Sequence, residues 1–477
     1  MTDSLRRQFA SEAVSRHFDD AALLAAMARF EAALAWAEAD CGRVPAAAAA
    51  CIESVCVAGF GPRAAVQRAP EEAPLRSLSA TLDADLFAPA TLVPAARRAG
   101  MLAIPFVQRL TAAVAQVDAE AARWVHWGAT SQDLADTALT LACQAANAAL
   151  LGDLQRVGDA LARLAEDWRD TPITGRTLLQ AATPVPFGWK VAGWLAPLAR
   201  SRAALATAGT AMAVIQLGGA TGIRAALEGH GDAVAARLAA RLGLNDPGSS
   251  WHGARDRVAR LGSELGLLTG ALARIGRDLS LLMQTELAEV TEPEGDGRGG
   301  SSAMPHKRNP VASMLALQAG LKAPGLVATL LAQQAGEHER GLGTWQADWW
   351  TMGALYECAG SASAAMAEAL GGLRVDAAAM QANLARGGGF VYAEAVTLAL
   401  AQTLGRPAAQ AWMTRLCDRA RQAGEPLRDA LDAARLADPT LAAALPEERL
   451  DRLFDPSAQR GDADRMIDRT LAAWRAG

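Results

Sequence analysis

The residue types best suited to chemistry are concentrated in residues 299–310, which read GGSSAMPHKRNP. Two hydroxyls, a histidine, two cations and a side-chain amide lie within this stretch. The segment before it, residues 292–298, is rich in glycine and proline, which disfavours regular structure. A glycine-hinged loop that ends in fixed cations is suited to closing over an anion, and we predict that role here. The alternative is a solvated loop whose charges are incidental.

The residues after this loop are predicted to begin a helix that helps to bind the anion. Asn309 and Pro310 have the pattern of an N-cap followed by proline at the first helical position. The helix is predicted over residues 311–333, with a kink at Pro324. Lys307 and Asn309 would then lie beside the positive end of the helix, where carboxylate and phosphate groups bind well.

The eleven residues 300–310, GSSAMPHKRNP, resemble the signature of the fumarase/aspartase superfamily. That superfamily includes argininosuccinate lyase, adenylosuccinate lyase and 3-carboxy-cis,cis-muconate cycloisomerase. A continuous match of this length is far more specific than an isolated glycine motif. The resemblance implies that Ser301 transfers the proton. It also implies a group of substrate-binding residues, which are Ser302, Met304, Lys307 and Asn309. The role of His306 stays open.

A second stretch, residues 125–133, reads VHWGATSQD and precedes a long helical pattern. Taken alone, Ser131 or Asp133 could simply cap that helix. The stretch also resembles the first motif of the superfamily, in which a histidine and a Thr-Ser pair contact the carboxylates of the substrate. By position, the resemblance gives these roles to His126, Thr130 and Ser131. His126 is also the second candidate for proton transfer.

A third stretch, residues 175–188, resembles the superfamily segment that leads into the next long helix. Its matching residues, which the resemblance assigns to substrate binding, are Arg176, Thr177 and Gln180. In adenylosuccinate and argininosuccinate lyases a histidine follows the threonine, but this chain has Leu178, which cannot transfer a proton. The usual glutamate partner of that histidine is replaced by Met314. The histidine and the glutamate are expected to be lost together, because either one buried without its charged partner would destabilise the fold.

A fourth stretch, residues 337–340, reads EHER and also matches the superfamily. The resemblance assigns Arg340 to substrate binding, although His338 and Arg340 could equally pair with Glu337 or Glu339. Adenylosuccinate lyase has a second arginine further on that helps to hold the nucleotide phosphate. This chain has Trp349 there, so a nucleotide substrate is disfavoured.

These departures favour the bacterial 3-carboxy-cis,cis-muconate cycloisomerase branch, as do residues 251–258 and 277–286. The role of His252 within the first of these segments stays open. The similarity extends from about residue 15 to residue 470. The branch closes 3-carboxy-cis,cis-muconate to 4-carboxymuconolactone in the protocatechuate branch of aromatic degradation. One carboxylate adds to a double bond, and a proton is delivered beside another carboxylate. The nucleophile belongs to the substrate, so no metal or cofactor is implied.

Two other functions remain open from the sequence. One is a β-eliminating lyase of the same superfamily, such as an adenylosuccinate lyase, against which Leu178, Met314 and Trp349 argue. The other is a catalytically silent structural homologue, against which the intact serine loop argues. A helical scaffold protein gives no reason for Ser, Lys and Asn to cluster on a glycine loop.

Composition limits the possible partners and the location of the chain. The formal net charge of -5 gives no basic footprint for nucleic acid, and an acidic substrate would need a local cationic pocket. The six cysteines lack metal-ligand spacing, which favours reduced thiols in the cytoplasm. The N-terminus lacks the apolar core of a signal peptide. The longest uncharged run, residues 203–223, is broken by glycines and favours an interior helix over a membrane span.

Apolar periodicity predicts an all-α protein with three helical domains, residues 1–110, 111–370 and 371–477. The central domain contains five long helical patterns, at residues 133–168, 186–213, 255–290, 310–334 and 345–369. The first of them would span about 50 Å, and such helices bury their apolar stripes against one another in an elongated bundle. The resemblance further implies a homotetramer with a twenty-helix core and active sites shared between three subunits.

Overall fold

A computed structural model describes residues 8–68, 86–295 and 297–477 of the chain. Most of these residues are helical, and the predicted all-α class is confirmed. The helices begin with α1 (Glu12–Ser15), α2 (Asp20–Asp40), α3 (Ala46–Phe60), α4 (Pro89–Ala99), α5 (Ala103–Val117), α6 (Ser131–Asp167), α7 (Phe187–Met212) and α8 (Gly231–Leu242). They continue with α9 (Asp256–Leu282), α10 (Val311–Ala332), α11 (Asp348–Gly371), α12 (Ala377–Arg386), α13 (Ala393–Leu404) and α14 (Arg406–Ala423). The last are α15 (Leu427–Ala437), α16 (Pro439–Ala444), α17 (Glu447–Leu453) and α18 (Ala463–Ala476).

The five predicted long helices are confirmed as α6, α7, α9, α10 and α11. The largest error is at the end of α9, which stops at Leu282 although the periodicity continues to residue 290. The chain turns back there, because the N–H of Glu289 donates to the carbonyl of Leu282 at 2.9 Å. Ala288 adopts a left-handed φ of 50° in this turn. The kink at Pro324, which lies inside α10, stays a prediction.

Four short strands form two antiparallel pairs that the sequence did not predict. They are β1 (Pro172–Thr177), β2 (Gln180–Pro186), β3 (Val290–Thr291) and β4 (Arg374–Val375). In the first pair Thr177 lies opposite Gln180, so the turn consists of Leu178 and Leu179. Both leucines have left-handed φ values, 52° and 64°, which such side chains rarely adopt. The third predicted stretch is therefore a strained hairpin that precedes α7.

The described chain forms two compact units. The first contains Met1–Asp153, Ser201–Gly270 and Gln318–Ala364, and the second contains Leu154–Arg200, Ala271–Leu317 and Ala365–Gly477. The first has an apolar core that α2, α3, α5, α8 and the start of α6 provide. In the second, a separate apolar cluster unites α13 to α17. These units follow packing and not chain order, so the boundaries near residues 110 and 370 stay predictions.

A buried ion network fixes the helix starts of the first unit. The Arg255 guanidinium lies within 2.8 and 2.9 Å of the two carboxylate oxygens of Asp136 and also pairs with Asp348. The Cζ atom of the same guanidinium lies over the ring of Trp251, 4.7 Å from the ring centroid. Burial raises the pKa of Asp348 to about 6, although Arg255 opposes the shift. The network ties α6 and α11 to the residue just before α9.

Within the described part of the chain, two helices have the length and apolar composition of a membrane span. They are α6, where 72% of the apolar window is buried within the chain, and α10, where 22% is buried. Core helices of globular proteins share these properties, so the expected lack of a membrane partner stays a prediction. Among the described residues there is no group of three or more His, Cys, Asp or Glu suited to hold a metal ion.

Candidate active site

The Ser301 hydroxyl lies inside a turn formed by the residues that follow it. Its Oγ accepts a hydrogen bond from the N–H of Met304 at 3.0 Å and from the N–H of Ala303 at 3.3 Å. Two backbone donors aimed at one oxygen stabilise negative charge on it. The loop therefore gives Ser301 a local environment suited to proton transfer.

The base of the serine loop is closed by Asn309. Its N–H donates to the carbonyl of Gly299 at 2.8 Å, and its Nδ2 donates to the carbonyl of Gly300 at 3.3 Å. Gly299 has a φ of 67°, and an added Cβ would lie 2.9 Å from the carbonyl oxygen of Asn309. Only glycine fits there without strain. The contact of Asn309 with substrate stays a prediction. It would have to be made by the amide atoms that the bond to Gly300 does not use.

The backbone N–H groups at the start of α10 are occupied by a carboxylate of the chain itself, and the predicted anion site beside Lys307 and Asn309 stays a prediction. The N–H groups of Ala312 and Ser313 donate to the carboxylate of Glu292 at 3.0 and 2.9 Å. Asn309 is also not the cap of this helix, which begins at Val311. The chain supplies its own buried carboxylate, from 20 residues upstream of Ala312, to the positive helix end. A substrate anion near this end must therefore be bound by side chains.

A cavity of about 700 Å³ opens beside the serine loop in the second unit. Its lining consists of Glu294, Gly295, Gly297, Arg298, Gly300, Ser301, Ser302 and Arg308. Arg298 pairs with Glu368, and Glu294 pairs with Arg374 at 2.6 Å. The predicted residues Ser301 and Ser302 thus share a cavity with Arg298, which lies outside the signature, and with Arg308, which lies inside it but was given no role. Met304 and Lys307 belong to the same loop but do not line this cavity.

His126 lies in the first unit, where a glutamate from α2 holds its ring. The Nδ1 atom of His126 is 2.6 Å from Oε1 of Glu31, whose side chain is fully buried. The histidine side chain is 16% exposed, so part of the ring remains accessible. Burial alone would lower the pKa of His126, but the carboxylates of Glu31 and Asp133 outweigh it and raise this pKa. The arrangement favours an imidazolium.

Thr130 and Arg340 are brought together by the structure. Nη1 of Arg340 donates to Oγ1 of Thr130 at 3.0 Å, and Nη2 donates to the carbonyl of Ala220. Ser131 is the first residue of α6, next to this pair. Thr130, Ser131 and Arg340, from two predicted motifs, therefore form one polar cluster. His338, which lies in the same motif as Arg340, has a left-handed φ of 50°.

Asp133 and His252 form a buried scaffold for the same cluster. The Asp133 carboxylate accepts from the N–H groups of Thr130, Gly218 and Gly219, each at 2.9 Å. It also lies 2.7 Å from Nε2 of His252, and both side chains are buried. Asp133 therefore caps the entrance to α6, as the sequence suggested, and the structure gives His252 a supporting contact.

Arg176 lies in the second unit, on β1, where it is paired within the chain. Its two terminal nitrogens lie 2.9 and 2.8 Å from the carboxylate oxygens of Glu289, which is fully buried. Nδ2 of Asn383 donates to the same carboxylate at 3.0 Å. Thr177 and Gln180 pair beside the hairpin turn. Their predicted contacts with substrate stay predictions, and Arg176 would have to share its guanidinium with Glu289.

The predicted residues therefore fall into two groups, one in each unit. His126, Thr130, Ser131 and Arg340 belong to the first, and the rest to the second. The motifs missed Glu31 and Glu38, which are both fully buried on α2. A signal for them exists, since both acids interrupt the apolar stripe of this helix and are seven residues apart. That the predicted residues of the two units join into a single active site stays a prediction.

Comparison with known proteins places the chain among the lyases. The family described as Lyase matches residues 101–325, and the one described as Adenylosuccinate lyase C-terminus matches residues 389–470. A 3-carboxy-cis,cis-muconate cycloisomerase of Bradyrhizobium diazoefficiens is 44% identical, over 98% of this chain and 97% of the relative. A nitrosuccinate lyase of Streptomyces davaonensis is 38% identical, over 95% of this chain and 90% of the relative.

A solved structure extends this similarity to the fold. The crystal structure of 3-carboxy-cis,cis-muconate lactonizing enzyme from Pseudomonas putida covers 99% of each chain with a TM-score of 0.87 and 39% identity. The serine loop and the stretches at residues 125–133 and 175–188 all lie within residues 101–325, which the family described as Lyase matches. The chain therefore belongs to the lyase family of the fumarase/aspartase superfamily and, within it, to the branch of the bacterial 3-carboxy-cis,cis-muconate cycloisomerases.

Proposed function

We propose that the chain is a cycloisomerase that closes 3-carboxy-cis,cis-muconate to 4-carboxymuconolactone in the protocatechuate branch of aromatic degradation. The observation that carries the proposal is the Ser301 hydroxyl, which receives two backbone N–H donors on a glycine-hinged loop. Similarity to enzymes of this name over nearly the full chain supports the choice of substrate.

The reaction is an isomerisation in which atoms and electrons balance within the substrate. A carboxylate oxygen forms a C–O bond to one carbon of a double bond, and the displaced electron pair moves to the neighbouring carbon. That carbanion is stabilised by its own carboxylate as an aci-carboxylate. Ser301 gives its proton to the carbanion, and the N–H groups of Ala303 and Met304 stabilise the resulting alkoxide until solvent reprotonates it.

The remaining predicted residues bind the substrate, and those with polar or charged side chains bind its three carboxylates. From the serine loop these are Ser302, Met304, Lys307 and Asn309. From the other motifs they are Thr130, Ser131, Arg176, Thr177, Gln180 and Arg340. Lys307 and Arg340 supply charge, and the hydroxyl and amide groups supply directed hydrogen bonds. His126 is the second candidate for proton transfer, and its raised pKa suits a donor better than a base.

We also propose a cytoplasmic homotetramer whose sites are each built by three subunits. Support comes from apolar side chains that the single chain leaves in solvent. Leu321 on α10 is 84% exposed, and Leu178 at the β1–β2 turn is 97% exposed. Large exposed apolar areas are typical of subunit contacts. The free cysteines fit a reducing compartment, and the net charge of -5 argues against nucleic acid as a partner.

Three rivals predict different outcomes. An adenylosuccinate lyase-like enzyme would use a proton-transferring side chain where this chain has the exposed Leu178. A catalytically silent homologue would have no need for the polar turn around Ser301. A β-eliminating lyase of another kind has a direct precedent in the similar nitrosuccinate lyase.

The test is a spectrophotometric assay of lactonisation, with nitrosuccinate and adenylosuccinate as competing substrates. We expect the parent protein to consume 3-carboxy-cis,cis-muconate, and Ser301→Ala to lose at least about 100-fold in kcat/KM. Ser280→Ala is the matched control, because Ser280 on α9 donates to the carbonyl of Arg277 in its own helix. Cleavage of a competing substrate without lactonisation would overturn the proposal, and inactivity on all three would favour the silent homologue.

A further inference from the structure

The strongest unassigned feature of the chain is the pair of buried acids on α2. Glu31 and Glu38 are seven residues apart on one helix, and both side chains are fully buried in an otherwise apolar stripe. Oε1 of Glu31 lies 2.6 Å from Nδ1 of His126. Neither carboxyl oxygen of Glu38 has a hydrogen-bond partner within the described part of the chain. The two acids therefore have different surroundings although they share one face of a helix.

The charges of the two acids follow from these surroundings. Burial, with repulsion from Glu31, raises the pKa of Glu38 to about 9, and Arg43 opposes the shift. Glu38 is therefore a neutral acid near pH 7. Glu31 has the imidazole of His126 as a direct partner, which favours the charged pair of carboxylate and imidazolium. Of the two buried acids, Glu31 alone thus supplies the negative charge that matches the positive charge on the histidine.

The backbone at His126 is also held in an unusual conformation. Its φ is 58°, in the left-handed region, and that of Gly128 is 68°. A Cβ on Gly128 would lie 2.6 Å from a methyl carbon of Leu227 and 3.6 Å from Oε1 of Glu38. Strain of this kind persists only where the surroundings fix the conformation, and it is concentrated at functional sites. The contact with Glu31 is the polar interaction that holds the ring.

The charged groups that face His126 come from two elements. Glu31 approaches from α2 and Asp133 from α6, and both raise the pKa of the histidine. Asp133 is already engaged by His252 and by backbone N–H groups of residues 218 and 219. Glu31 makes the direct contact with the ring, and it binds Nδ1. The other ring nitrogen, Nε2, is therefore the one available to a ligand.

We propose that Glu31 is a positioning residue for the reaction, which holds the Nδ1–H of His126 so that Nε2–H donates to a substrate carboxylate. The inference rests on the proposed function. In lactonisation the carboxylate beside the carbanion gains a second negative charge, and a cationic donor stabilises that charge more than it stabilises the ground state. No bond to His126 forms or breaks in this role.

The experiment compares Glu31→Gln with Glu38→Gln in the full-length protein. Both replacements keep the size of the side chain, and in Glu31→Gln the new amide oxygen can still accept the Nδ1–H bond. The first variant removes a charge that the proposal requires, whereas the second replaces an acid that is already neutral. The pair therefore separates the charge of Glu31 from the packing of α2.

Two measurements are made on each variant. The first is the rate at which diethyl pyrocarbonate modifies His126, followed by peptide mass spectrometry across pH. The reagent attacks the unprotonated ring nitrogen, so its pH midpoint reports the titration of His126. The second is the pH profile of kcat/KM for lactonisation. We expect Glu31→Gln to move both midpoints to lower pH and to lower kcat/KM about tenfold near pH 8. Glu38→Gln is expected to leave both near those of the parent.

Unchanged midpoints in Glu31→Gln would overturn the inference, as would equal shifts in both variants. A shifted modification midpoint with unchanged kcat/KM would also overturn it, because the charge would then be structural. Modification of His126 needs no substrate. If the parent protein failed to lactonise, the proposed function would fall while the control of His126 by Glu31 was still read directly.

Discussion

The carboxylate of Glu292 binds Ser313, which lies on the other side of the serine loop in sequence. Oε1 of Glu292 accepts from the N–H of Ser313 at 2.9 Å and from its Oγ at 2.7 Å. The hydrogen bonds from Asn309 to the carbonyls of Gly299 and Gly300 close the loop a second time, nearer to Ser301. Ser301 therefore belongs to a segment whose two ends are clamped together, while its tip remains exposed. These contacts hold both ends of the loop at the start of α10.

Removal of the Glu292 carboxylate is expected to loosen this clamp. Glu292→Ala leaves the N–H groups of Ala312 and Ser313 without their partner. We expect the free energy of unfolding to fall by about 2 kcal/mol, since a buried cap and its charge at a helix start are both lost. Limited proteolysis should also cut faster between residues 294 and 308.

The control for this prediction is Glu294→Ala, which removes an exposed acid two residues away. Glu294 pairs with Arg374 on the surface, and such pairs contribute little to stability. Equal effects of the two variants on urea unfolding and on proteolysis would contradict the assigned role of Glu292.

Arg255 is expected to be the most sensitive charged residue of the first unit. Arg255→Ala leaves the carboxylates of Asp136 and Asp348 buried without a counter-charge. Breaking one side of such a network costs about 4 kcal/mol. Urea unfolding measures the loss, and Arg260→Ala on the same helix is the control. Arg260 is exposed beside Asp256, so its loss should change the free energy by less than about 1 kcal/mol. A stable Arg255→Ala protein would show that the network is not needed.

The parts of the fold that depend on long apolar patterns could be predicted from the sequence. Each of the five long helices buries a stripe that repeats over many turns, and the repeat itself indicates the helix. The end of α9 was missed because its last predicted residues are compatible with a helix. The chain instead turns back after Leu282, and the strand that follows, β3, pairs with β4 far along the chain at Arg374 and Val375.

The candidate site was predictable only where its residues form contiguous motifs. The serine loop and the stretch around His126 were found by the resemblance, which carries their roles. Glu292, Glu31 and Glu289 were not found, because each acts on a partner that lies 20 to 113 residues away in sequence. Glu292 and Glu289 carry no local pattern in the sequence. Glu31 does interrupt an apolar helical stripe, but only the fold reveals that its partner is His126.

The β1–β2 turn offers a test of the proposed assembly. Leu178→Asn with Leu179→Gly installs the residues that this two-residue turn prefers and should relieve backbone strain. It also removes two exposed leucines, so we expect the proposed tetramer to dissociate at higher protein concentration than the parent. Analytical ultracentrifugation measures this, and Leu436→Asn, at an exposed position on α15, is the control. If the variant assembled at the same concentration as the parent, the β1–β2 turn would not be part of the subunit contacts.

The pH dependence of stability should reveal Glu38. The pKa of Glu38 is raised from 4.5 to about 9 in the folded protein, chiefly by burial. Between these values the unfolded chain has released the proton and the folded chain still binds it. Rising pH therefore favours the unfolded state across this window, and the stability that the proton provides is lost as pH increases.

Glu38→Gln has no proton to release at this position, so the stability of the variant should not show the loss with rising pH that Glu38 causes in the parent. Relative to the parent, the variant should gain on the order of 3 kcal/mol in free energy of unfolding between about pH 5 and pH 8. Any constant cost of a buried amide cancels in that difference, because it is the same at both pH values. Urea unfolding of both proteins at the two pH values measures it. Parallel stability curves would mean that Glu38 is already ionised in the folded protein, and the assignment of Glu38 as a neutral acid would then be wrong.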